Sequence, residues 1–149
     1  MDTRFLDDLH AGQCFRTNGI TLTEAEIIHF AWQYDPQPFH LDLGQAAQSP
    51  YKGLIASGFQ SLLLCFRLFI QTGVLRESSI GSPGIDDLRW LAPVRPGDTL
   101  HCEVEVLEVR PSASKPDRGI ARLKYLAVSQ PGDAVLSMSI DQLLLRCRR

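Results

Sequence analysis

The sequence predicts an α+β fold in which a curved antiparallel sheet wraps around a long central helix. Three observations lead there. The stretch SGFQSLLLCFRLFIQTG, residues 57–73, lacks proline and has no β-branched residue before Thr72 except Ile70. Everything after residue 83 reads as strand, broken by Pro-Gly turns. Helical and strand signals are therefore segregated along the chain rather than alternating, which favours helices packed on one face of an antiparallel sheet.

Along the chain, the first helical signal is TLTEAEIIHFAWQY, where Thr23 and Glu26 have the spacing of a capping box. Ile27, Ile28, Ala31 and Trp32 then recur at helical spacing, predicting a helix from Glu24 to Gln33. It should stop near Tyr34, because Pro36 pushes Asp35 out of the α region. A short helical turn is expected after His40, around DLGQAAQ. In the apolar stretch, Gln60, Arg67 and Gln71 lie near one stripe and the rest of the circumference is apolar, so the helix must be enclosed on most sides. Gly73 is a fitting stop.

In TLHCEVEV, Leu100, Cys102, Val104 and Val106 share one face, with His101, Glu103 and Glu105 on the other. The alternation slips at Leu107 and Val109, which predicts a bulge. ARLKYLAV and AVLSMSI alternate too, the latter through Leu136, Met138 and Ile140. RPGD (Arg95–Asp98) and QPGD (Gln130–Asp133) supply the turns, and RPSASKPDRG a longer loop. Such a meander buries one face and leaves an edge, and pairing that edge with a second copy predicts a homodimer.

The 149 residues, 44% hydrophobic and 21% charged, fit one globular domain over 1–149. A net charge of -2 gives no electrostatic footprint for nucleic acid. The only basic run, RCRR (Arg146, Arg148, Arg149), reads as a solvated tail. MDTRFLDDLHAGQ is too acidic for a signal peptide, and LLLCFRLFI, interrupted by Arg67, is too short to cross a membrane. Cys14, Cys65, Cys102 and Cys147 are far apart with no CxxC, so metal-ligand spacing is absent and reduced thiols in a cytoplasmic protein are expected.

The segment QYDPQPFHLD places Asp35 and His40 five residues apart, with Pro36 and Pro38 between them. A polar surface loop is one reading. The other is a preorganised acid–base pair, since the prolines fix torsions on either side of Gln37 and spare the side chains that ordering on each turnover.

Helix, D-x-x-P-x-H loop, apolar helix preceded by IASG, then LAPVRPGD in the sheet: this order resembles the hotdog-fold MaoC-like dehydratases and (R)-specific enoyl-CoA hydratases, along about the whole chain. The resemblance implies a hydro-lyase of acyl-CoA and fatty acid metabolism, adding water reversibly across the double bond of a 2-enoyl-CoA thioester to give a 3-hydroxyacyl-CoA, without metal or cofactor. It implies Asp35 and His40 as the catalytic pair holding a water, and the backbone N–H of Gly58 as donor to the thioester oxygen. A base, a proton for the α-carbon and a donor for the enolate oxygen are what this addition demands.

Three positions depart from the family pattern: Gln37 replaces Asn, Ser57 stands where a histidine is usual, and Phe66 stands where many members carry a serine. Those at Ser57 and Phe66 keep open a non-catalytic acyl-CoA-binding or dimerisation module, whereas Gln37 reshapes the loop. A hotdog thioesterase is the other alternative, although no Asp or Glu occurs from Leu43 through Arg76, where such enzymes often carry a carboxylate. Ser57 and Ser61 are candidate substrate-binding groups, although Ser61 reads first as a helix-surface hydroxyl. Lys115 and Arg118 are candidates for the phosphates of coenzyme A, or ordinary loop cations. Asp42 reads as a helix cap or as support for His40. His10, His29 and His101 read as partly exposed, Arg67 as the polar seam of the central helix, and Trp90 as core.

Overall fold

A computed structural model describes residues 1–129 and 132–147. The basic-tail residues Arg148 and Arg149, and Gln130 and Pro131 of the second Pro-Gly turn, lie outside the described residues. In chain order the elements are β1 (Cys14–Arg16), β2 (Ile20–Thr21), α1 (Glu24–Tyr34), α2 (Pro38–Leu41), α3 (Leu43–Gln48), α4 (Gly58–Gln71), β3 (Ser79–Gly81), β4 (Ile85–Trp90), β5 (Thr99–Pro111), β6 (Arg118–Ser129) and β7 (Asp133–Leu145). The sheet is antiparallel, ordered β1-β5-β6-β7-β3, with β2 also on β5 and β4 also on β7.

The long strands form as their alternation predicts. Leu100, Cys102, Val104 and Val106 of β5 are buried, as are Leu123 and Tyr125 of β6 and Leu136, Met138 and Ile140 of β7. The expected bulge falls at Leu107: Val106 pairs with Leu123 and Glu108 with Arg122, so Leu107 is the extra residue. A second irregularity, at Val135, turns its carbonyl outward to accept from the N–H groups of Leu91 and Ala92. The turn at Arg95–Asp98 closes with Asp98 N–H donating to the Arg95 carbonyl at 3.0 Å, and Gly97 has the positive φ of 89° that the turn requires. β1, β2 and β3 were not foreseen; each is a few residues recruited by a longer neighbour.

The helix α4 lies against the inner face of the sheet, the hotdog arrangement the sequence predicts. Phe69 meets Tyr125 edge-on at 5.4 Å between ring centroids, and Cys65 Sγ stands 3.3 Å from Cys102 Sγ, both thiols free and buried. Hydrogen bonding between the two and burial push the Cys102 thiol far above its usual pKa, leaving it inert packing. Enclosure of α4 is less complete than its composition implies. Gln60 is buried, its amide donating to the Glu26 carbonyl of α1 at 3.2 Å, so it does not share the exposed seam of Arg67 and Gln71. Phe59, Leu63 and Ile70 are exposed instead, and Leu63 shares a surface cavity with Ile85 of the edge strand β4.

Candidate functional site

The helix α1 begins where the capping signal says, with Thr23 Oγ1 accepting from Glu26 N–H at 3.2 Å. Its end brings the first functional residue into place. Asp35 is the C-cap, at φ -150° and ψ 70°, its N–H bonded to the Ala31 carbonyl. The chain turns at once, Gln37 N–H donating to the Asp35 carbonyl at 2.8 Å, and Pro38 opens α2 at a position where a missing N–H is harmless. His40 therefore sits on a single helical turn rather than in a polar surface loop.

The extended strap Leu54–Ala56 holds that turn. Ile55 N–H donates to the Phe39 carbonyl and Ala56 N–H to the Val94 carbonyl, so α2 is stitched through the strap to the segment after β4. His40, only 4% exposed, donates from Nδ1 to the Ile55 carbonyl at 2.7 Å. A carbonyl can only accept, so this bond fixes the proton on Nδ1 and turns Nε2 towards Asp35, 3.2 Å from Oδ2. Nε2 thus faces a carboxylate oxygen within hydrogen-bond reach.

Two further donors converge on the carboxylate. The Ser57 hydroxyl donates to Asp35 Oδ2 and the Gln37 amide to Oδ1, each at 2.7 Å. Partial burial pushes the Asp35 pKa up, but the bonds from Ser57 and Gln37, with the charge and bond of His40, outweigh it and hold the group below its ordinary 3.8.

These groups line a cavity of about 410 Å³ together with Gly58, Ser61 and the aromatic walls Phe39, Tyr51, Phe59 and Trp90. Gly58 opens α4, and its N–H, an orphan donor of the first turn, has no acceptor among the described residues. It must be glycine for a reason of packing: a Cβ there would fall 2.4 Å from the Trp90 indole nitrogen.

The other candidates divide. Ser57 is fully buried, with its hydroxyl engaged by Asp35 and by Phe59 N–H, so it braces the site rather than facing a ligand. Ser61 is buried and lines the cavity, which excludes the surface-hydroxyl reading. Lys115 and Arg118 are not brought to it. Arg118 pairs with Asp117 at the end of β6 that meets Leu145, while the cavity wall hangs from Val135 near the other end. Asp42 caps α3 by accepting from Gln45 N–H, as the first of its two readings has it. Trp90 is 47% exposed at the cavity rim, not core, because its strand lies at the sheet edge. His10 and His29 are exposed and His101 half-buried, all outside the cavity lining. Phe66 also lies outside it, packing towards Tyr125 at 6.2 Å. Sequence reasoning missed Gln37 as a donor to Asp35, and the Ile55 carbonyl, which no side-chain pattern signals. No group of His, Cys, Asp and Glu among the described residues has the geometry of a metal site.

Residues 8–127 match the family model described as MaoC like domain. YdeM of Bacillus subtilis (strain 168), an uncharacterised protein, is 34% identical over 110 residues, covering 74% of this chain and 78% of its own. The crystal structure of a MaoC-like dehydratase from Rhodospirillum rubrum is similar with a TM-score of 0.91 at 34% identity, covering 98% of this chain and 99% of that one. The R-hydratase PhaJ1 from Pseudomonas aeruginosa, in its unliganded form, is similar with a TM-score of 0.77 at 28% identity, covering 97% and 86%.

Proposed function

Since the chain belongs to the MaoC-like domain family, we propose that it is a hydro-lyase acting on 2-enoyl-CoA thioesters, adding water to give 3-hydroxyacyl-CoA and reversing the addition. The observation that carries this reading is the Asp35–His40 pair, 3.2 Å apart at the wall of a cavity that Gly58, the first residue of α4, also lines. Asp35 accepts a proton from water held against its carboxylate, whose orientation His40 Nε2 helps to fix. The oxygen adds to the β-carbon, and electrons move through the α-carbon onto the thioester oxygen. The N–H of Gly58 and the positive end of α4 stabilise that enolate, an effect worth about 10²–10³ in rate for one such donor. The pair then returns a proton to the α-carbon, and no metal or redox group is consumed.

Among the described residues Asp35 is the only carboxylate lining the cavity, and its pKa, held low, keeps it an ionised proton acceptor at neutral pH. The exposed apolar side chains Phe59, Leu63 and Ile85, beside an unpaired edge of β4, support a homodimer covering this face. Sedimentation at micromolar concentration should give twice the 16.6 kDa chain mass; a monomer removes this part of the reading. No helix among the described residues is long and apolar enough to cross a membrane, and the wide spacing of the four cysteines, with no CxxC, supports a reducing cytoplasm as the protein's compartment.

Crotonyl-CoA separates the possible outcomes. Loss of enoyl absorbance means hydration, release of free thiol means hydrolysis, and binding without either leaves an acyl-binding module. Asp35→Asn should lower turnover by at least about 10² with the fold preserved, and His40→Ala similarly. The double variant should lose far less than the product of the two, because both act on one water. An Asp35→Asn protein as active as the parent would show the base to be misassigned.

A further inference from the structure

We propose that Ser57 is a positioning residue of the acid–base pair, its hydroxyl tying the Asp35 carboxylate to the first turn of α4 and leaving a single acceptor site for the reacting proton. A carboxylate has about four acceptor sites, two on each oxygen. Oδ2 uses both of its own, one for the Ser57 hydroxyl at 2.7 Å and one for His40 Nε2 at 3.2 Å. Oδ1 uses one, for the Gln37 amide at 2.7 Å. The site that remains is on Oδ1, so three directional bonds fix both the orientation of the carboxylate and the place where a water proton is received.

Ser57 is a stiffer support than Gln37. Gln37 is exposed on a long side chain with more rotamer freedom to lose, whereas Ser57 is wholly buried. Its oxygen also accepts from Phe59 N–H at 3.2 Å, so the same atom caps the helix whose first N–H belongs to Gly58. One hydroxyl thus holds the proton acceptor and the donor end of α4 in a fixed mutual position. Among residues lining the cavity, the other ionisable groups are His40 from α2 and Tyr51. From α4 and its cap, the groups beside the cavity are the neutral Ser57, Gly58, Phe59 and Ser61. Loss of the Ser57 bond therefore acts on Asp35 without removing a charge.

The kinetic part of the test rests on the hydratase reading; the spectroscopic part does not. Asp35 carboxyl titration is followed by carbon-13 NMR in the parent, Ser57→Ala and Ser57→Cys, with near-ultraviolet circular dichroism confirming the fold. The midpoint should move up in Ser57→Ala and by less in Ser57→Cys, which keeps a weak donor. The acid limb of the kcat/KM profile on crotonyl-CoA should move up with it. At neutral pH kcat should fall about tenfold or more through lost orientation, with KM within about twofold. A midpoint unmoved in both variants overturns the proposal. An inactive parent whose midpoint still rises on Ser57→Ala refutes the hydratase reading and leaves the role of Ser57 standing.

Discussion

Gly58→Ala tests whether the start of α4 is shaped by its contact with Trp90. The added Cβ would fall 2.4, 2.6 and 2.8 Å from Nε1, Cε2 and Cδ1 of the indole, where ordinary carbon contacts lie at about 3.5–4.0 Å. The ring must withdraw by more than an ångström. That breaks the 5.5 Å edge-on contact between Phe59 and Trp90, worth about 0.5–1.5 kcal/mol, and re-exposes apolar surface on the order of 40 Å², about 1 kcal/mol. Against this, replacing glycine restricts the unfolded chain and stabilises by about 0.4–1 kcal/mol, since Gly58 has no positive φ. The sum is a loss of about 1 kcal/mol, or about 2–4 °C in Tm for a chain this size. In a Trp90→Ala background the obstruction is gone and the same substitution should be neutral or stabilising, giving a coupling of about 1.5 kcal/mol. Urea denaturation of the four proteins, followed by far-ultraviolet circular dichroism, measures it. Equal costs in the two backgrounds, or a gain in the parent, would refute the packing argument.

Tyr125 is fully buried and its hydroxyl has no partner among the described residues. Tyr125→Phe should therefore raise the urea midpoint, recovering about 1 kcal/mol of desolvation, and a drop in stability would reveal a bond the reasoning lacks. Acid stability carries the second expectation. The folded Asp35 carboxyl titrates below 3.8, so its contribution is full above the unfolded carboxylate range, about pH 4, and is lost as pH falls through the folded value. The stability gap between the parent and Asp35→Asn, measured by urea denaturation from pH 7 to pH 3, should close in that window; a gap constant across it would contradict the low pKa.

Long elements with a clear period were legible in the sequence. The capping signal at Thr23 located α1, a break in alternation located the bulge at Leu107, and proline after Asp35 located the end of α1. What escaped had too little local signal. β2 is two residues and exists because Leu100 and Thr99 pair with it; α2 is one turn, set by Pro38 and the strap rather than by periodicity. Burial was misjudged where a neighbour unknown to the sequence decided it. Gln60 is drawn inside by a carbonyl of α1, while Trp90 stays half exposed because, among the described residues, β4 has no strand on its far side. The Asp35–His40 spacing was readable, but the histidine's orientation depends on the Ile55 carbonyl, a backbone atom that every residue type carries.

The position of Trp90 makes the molecule its own optical gauge. Of the two indoles in the chain, that of Trp32 is 71% exposed on α1 and outside the cavity lining, so its emission stays that of a water-bathed fluorophore. The Trp90 indole lines the rim, and anything entering replaces solvent against its ring. A blue shift confined to that fluorophore would count occupied cavities without a label, a coupled assay or turnover.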